Sequence, residues 1–345
     1  MSRLRAYPMI VLLLPVVVAI LLFVEKPGRY PAKAAPNAMQ ERLYRRLEAA
    51  GLSGDELATT GALTLGYKEG LDKELRRHFQ ASGAAHVLAV SGLHTGIIYG
   101  VLVWVLTLGG RRKPMYEDRW GRRLLGTVII SAMWGYAWLT GMTPSVVRAV
   151  LMVTIFETGK MFYRRAFSLN TVAAAAVLIL LVRPTDLWSV SFQLSFAATA
   201  AIILLAKECE LYLHRKDWLH SWYGRGLSWI AGTVIISIAA QIGTLPITMY
   251  YFGLVSCYFL LTNLIVLPIA TVLMPSGLVT IALGGSTVGV LAGRITRSLA
   301  WVMNHSVEWI EHLPGSTAEA HIGLGMVAAY YAMWFVFCLF FIKNE

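Results

Sequence analysis

Residues 85–100 read AHVLAVSGLHTGIIYG. The stretch is apolar enough to lie in a bilayer, yet His86, Ser91, Gly92, His94 and Gly96 sit in its middle. Lipid offers no hydrogen-bond partners, so polar groups at that depth are retained where helices touch or where a wet path is lined. This combination points to a helical membrane protein with something polar to handle.

Composition agrees. The chain is 57% hydrophobic and 14% charged, with a mean hydropathy of +0.61, outside the usual range of soluble domains. Its length of 345 residues accommodates two soluble domains, but the apolar runs leave little room for them. Cys209, Cys257 and Cys338 are scattered, with neither a CxxC pair nor metal-ligand spacing. They read as small apolar filler without a disulfide framework.

Runs of roughly 17–25 apolar residues are long enough to cross the hydrocarbon core as helices. Candidates are Met9–Val24, Ala84–Leu108, Leu124–Thr140, Val146–Phe162, Leu169–Val182, Leu187–Ala206, Leu227–Tyr251, Val255–Met274, Leu278–Ala292 and Ile322–Ile342. Leu169–Val182 and Leu278–Ala292 are the shortest. The first run, preceded by Arg3 and Arg5, resembles a signal-peptide core but is expected to stay as an anchor. The loop GGRRKPMYEDRWGRR holds Arg111, Arg112, Lys113, Arg119, Arg122 and Arg123 and is expected on the cytoplasmic side. Counting outward places Arg164, Arg165, Lys207, Arg215, Lys216 and Arg225 on the same side, with Arg3, Arg5 and Lys343, so both termini are expected inside. Glu25–Gly83 is then external although it carries Lys26, Arg29, Arg76 and Arg77, because long segments obey the charge rule weakly.

That external segment is the one sizeable polar piece. Glu41–Ala50 reads as a short amphipathic helix with Leu43 and Leu47 on one face, broken at Gly51–Gly54. Further short helices are expected from Ser53 or Asp55 to Thr60 and over Lys73–Gln80. Ile295–His312 alternates Trp301, Val302, Trp309 and Ile310 with Arg297, Asn304, Glu308 and Glu311, the pattern of a helix lying flat on the bilayer.

Chemical motifs are mostly missing. The sequence contains no G-x-x-x-x-G-K-[ST] phosphate loop and no H-E-x-x-H. His86 and His94 have no carboxylate nearby in sequence, which argues against zinc. Ser91 lies in V-S-G-L-H, not in a G-x-S-x-G elbow. Ser91 and His94 share a helix face and make a conceivable nucleophile–base pair. The favoured reading is close helix packing at Ser91 and Gly92, with the histidines bonded across helices or lining a pore.

Other polar groups recur inside apolar runs. Arg148, in TPSVVRAVLM, is charged at any reachable pH and must face protein, water or the nearby interface. Gln193 and Ser195 sit in SFQLSF, where each is either packing glue or lining. QIGTLP, with Gln241, Gly243 and Pro246, and TNLIVLP, with Asn263 and Pro268, read as two broken helices. Irregular backbone at membrane depth is tolerated only beside protein or an aqueous cavity, so two consecutive breaks favour a conducting path.

Four blocks, in order from about Gly61 to Met274, resemble the competence domain of the ComEC family of bacterial DNA-uptake channels. They are TLGYKEGLDKELRRHFQASGAAHVLAVSGLHTGII, PSVVRAVLM, RRAFSLNTVAAAAVLILLVRPTDLWSVSFQLSFAA and QIGTLPITMYYFGLVSCYFLLTNLIVLP. The resemblance implies passage of single-stranded DNA across the cytoplasmic membrane during natural transformation. Members of that family often add an OB-like domain and a metallo-β-lactamase-like domain. Here the external segment is too short and too helical for a full OB fold, and no Asp/His nuclease cluster is present. Degradation of one strand then falls to a separate nuclease.

The reading is therefore an all-α, polytopic transmembrane helical bundle of about ten spans with a short helical external segment. Its parts are an anchor (1–24), the external segment (25–83), the competence-type transmembrane domain (84–293), an interfacial helix (294–321) and a C-terminal span (322–345). It is expected to be a multi-pass protein of the bacterial cytoplasmic membrane, acting as a channel for single-stranded DNA and not as an enzyme. The path is assigned to His86, Ser91, Gly92, His94, Gly96, Arg148, Gln193, Ser195, Gln241, Pro246 and Asn263. A net charge of +11 attracts a polyanion, although much of it is cytoplasmic-side bias. Tyr99, Trp104, Trp134, Tyr136, Trp138, Tyr250 and Tyr251 are stacking platforms for bases or, more simply, interfacial belts and core. No cofactor or metal is expected. Expected partners are an outer-side DNA receptor, the nuclease, a cytoplasmic ATPase or ion gradient as energy source, and a second copy of the chain. The rival functions are a small-solute transporter and an intramembrane hydrolase using Ser91 and His94.

Overall fold

The computed structural model describes residues 8–26, 37–88, 90–107, 118–162, 169–214, 222–284 and 286–344. Arg3, Arg5, Arg29, Arg111, Arg112, Lys113, Arg164, Arg165, Arg215 and Lys216, used above for orientation, lie outside the described residues. The fold is all-α. Its helices are α1 (Pro8–Phe23), α2 (Ala38–Ala49), α3 (Gly54–Leu65), α4 (Lys73–Ala81), α5 (Gly92–Leu106), α6 (Arg119–Leu139) and α7 (Pro144–Met161). They continue as α8 (Leu169–Val182), α9 (Val190–His214), α10 (Trp222–Phe252), α11 (Phe259–Leu283), α12 (Thr287–Glu311) and α13 (Leu324–Asn344). A 3-10 turn, Pro184–Trp188, joins α8 to α9. Strands β1 (Leu254–Ser256) and β2 (Thr317–Glu319) pair antiparallel, with Val255 opposite Ala318.

Among the described residues, two helical stretches are long and apolar enough to cross a membrane, Gly226–Phe252 and Phe259–Leu283. Shorter apolar helices include Gly92–Leu106, Leu169–Val182 and Val190–Leu205. Trp229, Ile230 and Ile236 on α10 and Val272 and Val279 on α11 are exposed. A helix that keeps large apolar side chains on its outside needs an apolar surrounding.

Several expected boundaries move. The run Ala84–Leu108 is not one helix: residues 85–88 form turns and α5 starts at Gly92. Ser91 is its extended N-cap, and a serine there supplies an oxygen where the first helical N–H groups lack partners. Leu278–Ala292 is not a span, because α11 ends at Leu283 and α12 begins at Thr287, capped by Ser286 Oγ accepting from Gly289 N–H at 3.0 Å. The amphipathic helix expected over Ile295–His312 is the second half of α12. Its inner face, Thr296, Ala300, Met303, Asn304, Val307 and Ile310, is buried, while Trp301 and Trp309 are exposed.

Residues 37–83 hold three packed helices. Helix α2 forms as its pattern predicts, with Leu43 and Leu47 buried and an Asn37–Gln40 capping box. Helix α3 is no peripheral piece: every residue from Leu57 to Leu65 is buried, and the helix packs against α11 and α12. Small residues make this approach possible. A Cβ on Gly277 of α11 would lie 2.7 Å from Thr64 Cγ2, and one on Gly293 of α12 would lie 2.6 Å from the Ala50 carbonyl oxygen. A hydroxyl fastens the contact, Thr59 Oγ1 donating to Asn304 Oδ1 at 2.8 Å, and beneath it Thr296 Oγ1 of α12 donates to Ser276 Oγ of α11 at 3.0 Å. Composition hid the burial of this helix because threonine and glycine read as polar, although a threonine can bury its methyl group where its hydroxyl has a partner, as at Thr59.

One core joins α3, α4, α6, α7, α11 and α12 through Leu63, Phe79, Ile129, Val150, Leu273 and Met303. A second packs α1 on α8 around Ile20, Ile179 and Leu180. At the end of α12, Glu311 accepts from Arg77 Nε at 2.9 Å and bonds His78 Nδ1, which ties α4 to α12.

The expected helix breaks do not occur. Helix α10 runs through Pro246, and α11 through Pro268 and Pro275. Proline at 246 cannot donate to the carbonyl one turn earlier, at Ile242. Tyr330 of α13 supplies the missing bond, its hydroxyl donating to Ile242 O at 2.8 Å, and Tyr331 donates to Gly243 O at 2.6 Å. A neighbouring helix thus satisfies the freed carbonyl and the backbone stays regular. Tyr330→Phe is expected to lower stability by about 1 kcal/mol. Thermal melting of the detergent-solubilised protein measures this, and an unchanged midpoint would show that the bond is not needed.

Candidate functional site

The residues assigned to a path fall into separate groups. His86 is exposed in the turn after α4, its Nδ1 3.1 Å from Gly83 O. Ser91 and His94 meet at the start of α5. His94 is fully buried, and its Nδ1 lies 2.9 Å from Ser91 Oγ and accepts the Ser91 backbone N–H at 3.3 Å. Thr95 Oγ1 donates to Ser91 O at 3.1 Å. This is a reciprocal helix cap, and it also sets a serine oxygen against an imidazole.

Gly92 and Gly96 lie on the opposite, open side of α5. Among the described residues, a Cβ on Gly92, Gly96 or Gly100 would meet nothing within 4 Å. These glycines recur every four residues and so share one helix face. Beside them runs an open groove of about 330 Å³, lined by Gly96, Ile97, Gly100, Val101, Trp104 and Thr271. Trp104 is the stacking candidate that stands in this groove, and it is 65% exposed.

Arg148 is 2% exposed near the start of α7. One terminal nitrogen, Nη2, donates to Ser191 Oγ at 2.7 Å, Ser191 O at 2.9 Å and Ser145 Oγ at 3.1 Å. It reaches the first turn of α9 and does not snorkel. Gln193 Nε2 donates to Leu187 O at 3.0 Å, fastening the 3-10 turn to α9. Ser195 is half-buried and its carbonyl accepts Thr199 Oγ1 at 2.8 Å. On α10, Gln241 is half-buried and Pro246 buried. Asn263 Nδ2 donates to Ser237 Oγ at 3.1 Å, joining α11 to α10, while its Oδ1 is buried without a partner. Among the described residues no hydrogen bond links one of these groups to another.

One buried acid escaped the sequence reading. Glu157 of α7 is 2% exposed. Its Oε1 accepts Tyr99 Oη of α5 at 2.5 Å and Lys160 Nζ at 2.8 Å. The available signal was that Glu157 is the sole acidic residue between Val146 and Phe162. An ionisable group inside an apolar run marks a structural or functional contact. Among the described residues, no group of three or more His, Cys, Asp or Glu side chains is placed to hold a metal.

The family model described as Competence protein matches residues 63–344. The chain belongs to this competence protein family. It is 27% identical over 282 residues to ComE operon protein 3 of Bacillus subtilis, an alignment covering 80% of this chain and 32% of that protein. It is 30% identical over 169 residues to competence protein ComA of Neisseria gonorrhoeae, covering 47% of this chain and 23% of that one. An uncharacterised protein of Aquifex aeolicus is 32% identical over 143 residues, covering 41% of this chain and 32% of its own length. The competence protein is thus similar to about a third or less of each of these relatives. No solved structure matches it. The family and the two long apolar helices indicate a membrane protein.

Proposed function

We propose that this competence protein forms a channel that passes single-stranded DNA across the bacterial cytoplasmic membrane. In this reading it is multi-pass, with about ten spans and both termini in the cytoplasm. It works with an outer DNA receptor, a separate nuclease, and an ATPase or ion gradient that supplies energy. The observation that carries the reading is the open face of α5, where Gly92, Gly96 and Gly100 have no neighbour and a groove continues past Trp104 to Thr271 of α11. A polymer needs continuous width more than it needs a closed pocket. Glycines supply that width, and an exposed indole offers a surface for a base.

Single cysteines placed at 96 and 100, after replacement of the native ones, are expected to react with water-soluble thiol reagents. DNA held in transit should protect them. Unreactive cysteines at both positions would move the path elsewhere. Deleting the gene is expected to abolish arrival of DNA in the cytosol while surface binding persists, and unchanged transformation would overturn the reading.

The continuity of α10 and α11 removes the broken helices on which a small-solute carrier rested. It removes them equally as support for a channel. A second reading, an intramembrane hydrolase, rests on the 2.9 Å contact between Ser91 Oγ and His94 Nδ1. Among the described residues no carboxylate bonds that imidazole, and the capping role explains the contact. Ser91→Ala should leave DNA arrival within about twofold, whereas loss of a hydrolytic activity with intact uptake would favour the hydrolase.

A further inference from the structure

Arg148 is a buried cation only partly used. Its Nη2 makes three hydrogen bonds, but Nε and Nη1 are buried with no partner among the described residues. Asp186, on the 3-10 turn, acts on the guanidinium electrostatically but forms no ion pair with it. A guanidinium has five N–H donors in a rigid fork, and leaving part of a buried fork unpaired costs free energy.

Its surroundings are unsatisfied in the same sense. Thr143 is the N-cap of α7 but makes no side-chain cap bond, and its Oγ1 is buried without a partner among the described residues. The first turn of α7 holds Ser145 and the first turn of α9 holds Ser191, and their hydroxyls lie 3.1 Å apart. Two helix N-termini therefore converge on one arginine. The first N–H groups of a helix lack internal partners and its dipole favours negative charge there. Ser191 is exposed, so an anion arriving from outside meets its hydroxyl first. A bidentate contact then pairs Nη2, already directed at the two serines, with Nε or Nη1 beside it.

We propose that Arg148, Ser145 and Ser191, at the paired N-termini of α7 and α9, bind a backbone phosphate of a single DNA strand. The fork matches two oxygens of a phosphodiester, and the hydroxyls serve a third contact. The occupant rests on the channel reading; the anion site itself does not.

The test uses the full chain in zwitterionic lipid nanodiscs and a fluorescent oligothymidylate, with affinity measured by anisotropy across a salt series. Arg148→Gln is expected to weaken binding about tenfold and to make the slope of log affinity against log salt shallower by about 0.7, the value for one phosphate contact on a single strand. Ser191→Ala should weaken binding a few-fold with the slope kept. Should Arg148→Gln fail to fold, judged by melting and gel filtration, the Ser145→Ala/Ser191→Ala pair is expected to lose at least as much affinity as Ser191→Ala. Unchanged affinity and slope in the folded variants would overturn the proposal. So would retention of anionic lipid by the wild type and its loss in Arg148→Gln with oligothymidylate binding unaltered, which would assign the site to a headgroup. Normal oligothymidylate binding by Arg148→Gln together with loss of uptake in the deletion strain would sink this site alone. Normal transformation in the deletion strain would sink the channel reading instead.

Discussion

Gly243→Leu is expected to prevent α9 and α10 from packing and to remove the folded protein. A Cβ at this position would lie 2.6 Å from Ala201 Cβ and 2.7 Å from the Ala197 carbonyl oxygen, both on α9. Neither is the free end of a flexible side chain, so relief requires the two helix backbones to separate. Separation would also strip the contacts along their length and pull Gly243 O from Tyr331 Oη. Overpacking of this kind costs 1–3 kcal/mol where side chains can yield and more where backbone must move; here a loss above about 3 kcal/mol is expected. Gly243→Ala, with the same Cβ, should already lower the melting temperature. Gly96→Leu, facing open groove, should leave it unchanged. Fluorescence-detected gel filtration after a heating series distinguishes the three, and a Gly243→Leu protein that melts like wild type would refute the close helix contact.

The second large effect concerns the acid that joins α5 to α7. Glu157→Ala is expected to destabilise the protein by about 2–4 kcal/mol, because it leaves Tyr99 Oη and Lys160 Nζ without their carboxylate. Lys160 is 27% exposed at its side chain, so water recovers part of its loss, which keeps the figure below that of a fully buried pair. Glu157→Gln keeps an oxygen for Tyr99 and should regain more than half of the deficit. Equal melting temperatures for wild type and Glu157→Ala would show that the contact contributes nothing. A Glu157→Gln protein that is stable but inactive in DNA uptake would mean that the charge, not the bond, is used.

The two effects show where sequence patterns stop. Helix α8 was legible to the residue, Leu169–Val182, because fourteen mostly aliphatic side chains in a row leave the backbone no better way to satisfy itself. Helices α1, α7 and α13 were found within a few residues for the same reason. Pro246 misled, because proline removes a donor locally whereas the hydroxyl that replaces it, on Tyr330, comes from a helix far along the chain. Helix α3 was placed outside by counting charges from loop to loop. Its burial depends on α11 offering a gap at Gly277 for the methyls of Thr60 and Thr64, and on Asn304 of α12 accepting from Thr59, while Thr64 Oγ1 donates within α3 to Thr60 O.

Apolar length and composition therefore determined, without any coordinates, that this is a helical protein suited to lipid, and the four blocks pointed to its family. Both are local properties, read a few turns at a time. Only the tertiary structure decided that Arg148 meets Ser191, that Glu157 meets Tyr99, and that the glycines of α5 face empty space while Gly243 does not. Those outcomes depend on which helix arrives opposite which. Many side chains drawn from the whole chain settle that together, and no single stretch of residues encodes it.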